Sequence, residues 1–258
     1  MKPKQYRDDR GPDWEGTPMF HGVGSSTVCS SMVEKSFSFA EKFIGAGKSG
    51  KDFGSNIVRG DQVRTVDSAL GMVGELGFSQ IMSSFDIYTE VDEGVRVGGN
   101  EGDWGQDINR VWVDGEKRIL IPKMDIKTTK KGSGWLLVER HRLQASIFVV
   151  VLADVPRKKE DMGGSEIKCE FGGYCFYSDF LDGSNAPHFR FKKGDRLLSP
   201  SYAIDRMSGV DSSANKYMNV TLKCPDQCGL PIKLLRQDIE GLARIIKTMS
   251  IPEDRRLR

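Results

Sequence analysis

Residues 98–138 read GGNEGDWGQDINRVWVDGEKRILIPKMDIKTTKKGSGWLLV, and this stretch decides the fold. Two apolar runs, at residues 108–113 and 118–124, lie on either side of an Asp-Gly pair at 114–115. An Asp-Gly pair between two such runs is typical of a tight β-hairpin turn. The stretch therefore predicts two adjacent antiparallel strands in one sheet.

Two carboxylates and one lysine lie at one end of this predicted hairpin. Asp107 starts the first strand, and Asp125 and Lys127 follow the second apolar run. Because side chains two residues apart in a strand point the same way, Asp125 and Lys127 are expected on one face. Two carboxylates can hold a hard divalent cation, and a nearby ammonium can orient or deprotonate a water molecule. The pattern indicates a centre for phosphodiester hydrolysis.

The composition is that of an ordinary globular protein. The chain has 258 residues, of which 29% are charged and 38% hydrophobic. No apolar run approaches the roughly 20 residues needed to cross a bilayer, and the polar start lacks the apolar segment of a secretory signal. Five cysteines do not make a disulfide scaffold at this length. We therefore expect a cytoplasmic protein without a membrane partner, in the host cell cytoplasm if phage-encoded.

Hydrophobic periodicity divides the chain into three parts. Residues 1–27 are rich in Gly, Pro, Ser and charge, and are expected to form a flexible arm. Residues 28–155 are predicted to hold helices at 28–44 and 61–85, followed by the strands of a central sheet. Residues 156–258 are expected to form a β-rich extension packed on the same domain. There we predict strands at 167–171, 174–177, 188–191, 202–204 and 217–222, a turn at 225–231 and a closing helix at 234–249.

One carboxylate stands in an apolar part of the second predicted helix. Glu75 lies within Val-Gly-Glu-Leu-Gly-Phe, at residues 73–78. An unpaired buried carboxylate is costly, so Glu75 is expected to meet a cation or a hydrogen-bond donor, unless it is simply a partly exposed helix residue. Gly74 and Gly77 would let this helix approach the sheet closely.

Taken in order, these features resemble the PD-(D/E)xK nuclease superfamily, and within it the restriction-endonuclease-like and phage-type members. The resemblance covers roughly residues 70–155. It rests on Gly-Glu-Leu-Gly-Phe, a Gly-rich turn leading to Asp107, Asp-Ile-Lys-Thr-Thr at 125–129, Leu-Leu-Val-Glu at 136–139 and an apolar strand after it. Gly105-Gln106 precede the first aspartate where many members have proline. The resemblance implies a mixed α/β fold in which helices flank a mixed sheet of four to five strands.

The resemblance also implies roles for the matching residues. Asp107 and Asp125, with the backbone carbonyl of Ile126, would bind Mg²⁺ or Mn²⁺; Asp107 is favoured over the acids at 101 and 103 because it begins the apolar run. Lys127 would orient the attacking water or stabilise charge on phosphorus. Glu75 would complete a second metal site or hold a metal-bound water.

DNA is the expected partner, and a metal-dependent endonuclease that leaves 5′-phosphate and 3′-hydroxyl ends is the expected activity. Cleavage of both strands with one active site per chain would favour a homodimer. A catalytically silent nuclease-fold protein that binds DNA or sits in an assembly is the alternative. The candidate DNA contacts are Thr128, Thr129, Lys130, Lys131, Arg140 and Arg142. The two threonines among them are equally well explained as β-branched strand residues.

Three other signals compete with this reading. Residues 45–52 fall one residue short of a phosphate-cradling loop, and Asp52 replaces the hydroxyl that would bind Mg²⁺, so a basic DNA-contacting loop is preferred. A loosely spaced four-thiolate zinc site is weighed against free thiols, which are preferred; its cysteines would be Cys169, Cys175, Cys224 and Cys228. Three tryptophans near the centre are expected to pack rather than to stack on bases; they are Trp104, Trp112 and Trp135.

Overall fold

A computed structural model describes residues 19–20, 24–45, 60–91, 107–156, 159–181, 188–224 and 226–253. These residues contain four α-helices: α1 (Ser30–Gly45), α2 (Asp61–Ser83), α3 (Pro200–Met207) and α4 (Ile239–Thr248). The first strands of the described chain are β1 (Met19–Phe20), β2 (Ser25–Val28), β3 (Ile87–Val91), β4 (Ile108–Val113), β5 (Glu116–Lys130), β6 (Trp135–Glu139) and β7 (Ile147–Asp154). They are followed by β8 (Ile167–Phe176), β9 (Phe189–Phe191), β10 (Arg196–Leu198), β11 (Tyr217–Thr221), β12 (Gln227–Pro231) and β13 (Ser250–Pro252).

The main sheet has the strand order β1-β2-β8-β7-β5-β4-β3, and β13 pairs with the first half of β5. All its pairs are antiparallel except β5 with β7. The expected mixed α/β class is confirmed. Within the described residues, however, this sheet has eight strands, not four to five, because β1, β2, β8 and β13 extend it.

The hairpin between β4 and β5 is confirmed at the predicted turn. Asp114 and Gly115 have φ angles of 53° and 78°, the left-handed pair that a type I′ turn requires. Strand β5 then continues beyond the apolar run that predicted it. Its second half leaves β4 and runs parallel to β7, with Lys127 opposite Val150.

Helix α2 crosses the main sheet at the two predicted glycines. A β-carbon on Gly74 would lie 1.7 Å from Thr128 Oγ1, and one on Gly77 would lie 2.6 Å from the Cys169 side chain. No side chain other than hydrogen fits at these positions without moving backbone elements. The predicted close approach of this helix is therefore confirmed, at β5 and at β8.

Two layers cover the main sheet. Apolar residues of α1, α2 and α4 pack on one face to form the first core, which includes Val73, Ile126 and Val149. On the other face, a second sheet of order β6-β12-β9 forms the second core, which includes Phe148 and Val150 of β7. Strands β10 and β11 form a separate two-stranded ribbon. None of the described helices is both long enough and apolar enough to span a membrane.

Two predicted elements have a different secondary structure. The strand predicted at residues 202–204 lies inside helix α3, which the Ser199 side chain caps by accepting from the Tyr202 N–H and which Pro200 starts at a position where no amide is needed. The turn predicted at 225–231 contains strand β12, buried throughout between β6 and β9. Partners distant in sequence outweigh the Gly and Pro signals there.

Other boundaries shift. The predicted arm at 1–27 includes β1 and part of β2, because β8 offers β2 a pairing edge; residues 1–18 lie outside the described chain. The two strands predicted at 167–177 are one strand, β8. The closing helix is shorter than predicted, since Asp238 caps α4 by accepting from the Gly241 N–H, and Met249 is exposed instead of facing inward. Residues 46–59, which hold most of the glycine-rich loop, and residues 101–106 also lie outside the described chain.

Candidate metal centre on strand β5

Asp107 directly precedes β4, at the open end of the hairpin where β4 and β5 separate. Its backbone N–H donates to the Met124 carbonyl at 2.8 Å. Its carboxylate Oδ2 accepts the Ile126 N–H at 2.5 Å. Ile108, the first residue of β4, pairs with Met124. The Asp107 side chain thus accepts an N–H of β5 where β4 offers no backbone acceptor, which holds it beside Asp125 and Lys127.

Asp125 and Lys127 form an ion pair along one face of β5. Lys127 Nζ lies 2.7 Å from Asp125 Oδ2. The Asp125 side chain is only 5% exposed, whereas that of Lys127 is 32% exposed. A carboxylate this deeply buried requires a cation close by. The prediction that these two side chains share a face is confirmed.

The charges around Lys127 keep it protonated. Burial lowers the pKa of the Lys127 ammonium, but the charge and hydrogen bond of Asp125 and the charge of Asp107 outweigh burial, and the pKa is raised above its usual value. The positive charge of Arg142 acts against this rise. At neutral pH Lys127 is a cation, so it can orient a water or stabilise negative charge but is not poised to take a proton.

This raised pKa gives a stability prediction. The folded protein holds the Lys127 proton more tightly than the unfolded chain, so the ion pair stabilises the fold below pH 10.5 and stops doing so as the pH rises through the folded pKa. Lys127→Met should lower the free energy of unfolding by about 1–2 kcal/mol at pH 8, because the pair is half-buried. The difference in the free energy of unfolding between Lys127→Met and the wild type, measured by urea unfolding, should be smaller at pH 11 than at pH 8.

Lys123→Met is the matched control for this measurement. Lys123 lies on the same strand, and no carboxylate of the described residues is paired with it. Its effect on unfolding should not vary between pH 8 and pH 11. An equal pH dependence in both variants would show that the Asp125 pair is not its source.

The pairing of β5 with β7 assigns the faces of the site. Asp125 and Lys127 stand opposite Phe148 and Val150, which belong to the second core. Alternation turns Thr128 the other way, and its hydroxyl donates to the Gly71 carbonyl of α2 at 3.3 Å. Thr128 therefore has the strand-packing role considered as its alternative, and its hydroxyl is turned to α2 and not to the Lys127 face. Alternation leaves Thr129 on the face of Lys127.

Glu75 lies on the opposite side of the main sheet from Asp125. It is half-buried on α2 next to Gly74, which faces Thr128. In the described part of the chain, no three His, Cys, Asp or Glu side chains are grouped as a metal site. The structure therefore does not bring Glu75 together with Asp107 and Asp125. Its role as a second metal ligand stays a prediction.

The basic turn after β6 carries Arg142, a predicted DNA contact, together with Glu139, which the sequence analysis did not select. The Glu139 side chain is 13% exposed, and its Oε2 lies 3.3 Å from His141 Nε2 and 3.4 Å from Arg142 Nε. The charge of Arg142 lowers the Lys127 pKa, so this turn lies within electrostatic range of the candidate centre. A buried acid that ends a strand, directly before three basic residues, is the signal that could have indicated Glu139 as the residue that positions Arg142.

The other basic residues proposed for DNA have different surroundings. Arg140 is turned towards Asp226, at 3.6 Å, and both side chains are 54% exposed. Lys130 Nζ donates to the Pro156 carbonyl at 3.3 Å. Lys131 is exposed and lies 2.8 Å from Glu170 Oε1. Of the four, Arg142 has a charge that lowers the Lys127 pKa.

Arg142 and Arg140 can be separated by mutation. If the centre cleaves DNA as the sequence predicts, Arg142→Ala should lower the rate of cleavage roughly tenfold to a hundredfold, because positive charge that can stabilise the developing phosphate charge is lost. Arg140→Ala should change it by less than about threefold, since this arginine forms an exposed surface pair. Single-turnover cleavage at saturating enzyme measures both. Equal losses in the two variants would mean that the turn acts only through its overall charge.

Three of the cysteines and Trp135 lie in cores. Cys169 belongs to the first core, and Cys175 and Cys228 belong to the second, so the main sheet separates them. Burial raises the pKa of Cys169 to about 12, which favours a thiol over a metal-binding thiolate. Trp135 is buried and packs edge-to-face against Phe189, at 5.4 Å between ring centroids. The predicted packing role is confirmed for this tryptophan.

The donor atoms on this face suit a hard divalent ion. Mg²⁺ is held in proteins by one or two carboxylates together with waters and substrate phosphates. Asp107 and Asp125 supply the two carboxylates, and the Ile126 backbone lies between them through its hydrogen bond to Asp107. Lys127 occupies one oxygen of Asp125. These residues fit a two-carboxylate metal centre.

Comparisons with known protein families, with curated protein sequences and with solved structures each found no match. Function is therefore inferred from the side-chain geometry of β5 and its surroundings.

Proposed function

We propose that this chain is a metal-dependent deoxyribonuclease that hydrolyses phosphodiester bonds and leaves 5′-phosphate and 3′-hydroxyl ends. One observation carries the proposal: Asp107 is tied to the Ile126 amide while Asp125 is paired with Lys127, so two carboxylates and a cation converge on three successive residues of β5. The hairpin of β4 and β5 must be folded to bring Asp107 to Ile126, which a chance Asp-x-Lys triplet would not require.

The order of elements supports a restriction-endonuclease-like core. Helix α2 precedes the antiparallel strands β3, β4 and β5, and β7 follows parallel to β5. The catalytic strand lies in the middle of this arrangement. On this proposal, the remaining strands of the main sheet and the second sheet are additions to the core.

Each residue of the centre has a defined task in the proposed reaction. Asp107 and Asp125 would hold Mg²⁺ or Mn²⁺, which when bound neutralises phosphate charge and makes water a stronger nucleophile. Lys127, kept protonated by Asp125, orients the attacking water and stabilises the negative charge that develops on the phosphoryl oxygens. Arg142, held by Glu139, adds positive charge on the same face.

Cleavage of supercoiled plasmid tests the proposal. Full-length protein should convert the plasmid to nicked or linear DNA with Mg²⁺ or Mn²⁺ and leave it intact with EDTA. The product ends should accept a kinase label only after phosphatase treatment, because they carry 5′-phosphates. DNA left uncut with both metals, by protein that binds it, would refute the nuclease and establish the silent nuclease-fold alternative.

Two further parts of the proposal concern the setting of the protein. All five cysteines are free thiols, which supports a reducing cytoplasm, in the host cell if phage-encoded. Because one chain holds one centre, cutting both strands at one place favours a homodimer. Analytical ultracentrifugation with and without a DNA duplex measures the second point.

A further inference from the structure

A cationic surface without an assigned role lies on the β10–β11 ribbon. Two cations lie near the ring of Tyr217, the first residue of β11. Arg196 lies 5.0 Å and Lys216 5.2 Å from the ring centroid. Lys216 also lies 5.9 Å from the ring of Tyr202 on helix α3. We name these four residues the ribbon face. Cations at this distance from an aromatic ring are attracted to it and lose part of their freedom.

Among the described residues, no acid neutralises the two cations of the ribbon face. No carboxylate in the described part of the chain pairs with Arg196 or Lys216, whereas Lys131 and Arg236 each have one. Tyr217 itself is 40% exposed. Of the β11 residues, only Met218 packs into the core beneath the ribbon. The ribbon face therefore presents two held positive charges to solvent.

The support of this surface is rigid. The Ser199 N–H donates to the Lys216 carbonyl at 3.0 Å, which ties α3 to the strand that carries the cation. Trp135 of β6 donates its indole N–H to the Leu198 carbonyl at 2.8 Å. Pro200 packs on Gly134, where a β-carbon would lie 2.0 Å from the proline ring. Such anchoring keeps the cations in one place relative to the second sheet.

The charge of the surrounding segment points to an anionic partner. Residues 188–224 hold seven Lys and Arg against three Asp, whereas the net charge of the whole chain is only +2. The basic residues are Arg190, Lys192, Lys193, Arg196, Arg206, Lys216 and Lys223. A local excess of positive charge attracts the phosphates of a polyanion.

Helix α3, which carries Tyr202 of the ribbon face, lies near the proposed metal centre. Gly134, on which Pro200 of α3 packs, follows Lys127 by seven residues along the chain, which limits the separation of Lys127 and Gly134 to at most about 25 Å. One DNA strand covers that distance in roughly seven nucleotides at 3.4 Å each. A duplex that reaches the centre can therefore extend to α3 and the ribbon.

We propose that the ribbon face binds backbone phosphates of DNA several nucleotides from the position that Lys127 contacts, with Tyr217 holding the two cations in place. The site would take the sugar–phosphate backbone and would not read sequence. The choice of DNA over another polyanion rests on the proposed function. The position of the two cations on the Tyr217 ring does not depend on that function.

Binding without cleavage tests this proposal. Fluorescence anisotropy with a 30-base-pair duplex in EDTA should give a dissociation constant roughly tenfold or more higher for Arg196→Ala/Lys216→Ala than for the wild type at 0.1 M salt. The slope of log affinity against log salt should become shallower by about 1.8, which corresponds to two lost phosphate contacts. Lys35→Ala/Lys233→Ala removes the same charge from two exposed positions elsewhere and should leave both quantities unchanged.

Tyr217 distinguishes held cations from charge alone. Tyr217→Leu keeps every charge but removes the ring, and should weaken binding severalfold. Tyr217→Phe keeps the ring and should bind as the wild type does. Circular dichroism melting of each variant identifies loss of fold. If Tyr217→Leu melts and binds like the wild type, the holding role is overturned.

The result can be separated from that of the nuclease proposal. Wild-type protein that cuts plasmid, with an Arg196→Ala/Lys216→Ala variant that binds and cuts equally well, would overturn the ribbon face and leave the nuclease standing. If the wild-type protein does not cut plasmid but its DNA binding still depends on these two cations, the nuclease proposal is overturned and the ribbon face stands. Binding of the wild type to phosphatidylserine vesicles but not to DNA would overturn the assignment of DNA as the partner.

Discussion

Asp125→Asn is expected to reduce Mg²⁺-dependent DNA cleavage by roughly a thousandfold, since the charge stabilisation from a bound metal is worth several kcal/mol of the barrier. The substitution keeps the size of the side chain and leaves an amide oxygen that can still accept from Lys127. Because Lys127 is 32% exposed, water can solvate it once its partner is neutral. The free energy of unfolding should therefore change by less than about 1.5 kcal/mol.

Asp107→Asn should have a similar effect for the same reason. Its amide oxygen can still accept the Ile126 N–H, so the junction of β4 and β5 should survive while the carboxylate charge is lost. Asp114→Asn is the matched control: it removes a carboxylate at the other end of the hairpin, and Asn tolerates the left-handed backbone there. That variant should cut at the wild-type rate.

A second measurement separates metal binding from catalysis. Saturating Mg²⁺ or Ca²⁺, at about 100 times its dissociation constant, should raise the free energy of unfolding of the wild type by about 2.7 kcal/mol. EDTA should reverse this gain, and Asp125→Asn should abolish it. A variant that loses cleavage but keeps the full metal-dependent gain would show that Asp125 is not a metal ligand.

Gly74→Ala is expected to destabilise the fold by about 3 kcal/mol, which corresponds to a fall in melting temperature of roughly 6–12 °C. The new methyl group would lie 1.7 Å from Thr128 Oγ1 and 2.7 Å from both carbon atoms of that side chain. Either α2 must move away from the main sheet or β5 must shift. Both movements disturb the first core, and a shift of β5 would also move Lys127, the residue before Thr128.

Gly71→Ala supplies the comparison on the same helix. A β-carbon at Gly71 meets no atom within 4 Å, so the substitution should stabilise α2 by about 0.5–1 kcal/mol through helix propensity alone. Urea unfolding of both variants measures the difference. If Gly74→Ala is as stable as Gly71→Ala, the close crossing of α2 over β5 is wrong.

Much of the local structure follows from sequence patterns. The type I′ turn at Asp114-Gly115, the long helix α2 and the buried strand β7 were all predicted, because turn chemistry and hydrophobic period act over a few residues. Sequence patterns predicted the wrong secondary structure where pairing with a distant strand decided it. Strand β12 contains Gly229 and Pro231, yet it pairs with both β6 and β9.

The sequence by itself determined that Asp125 and Lys127 share a face, since alternation along one strand is a local property. Only the tertiary structure decided what joins them. The pairing of β4 with β5 brings Asp107 to Ile126, the parallel register with β7 turns the pair towards the second sheet, and the turn after β6 adds Arg142. The same crossing of α2 places Glu75 on the other side, because the face a helix covers depends on how elements pack and not on their order.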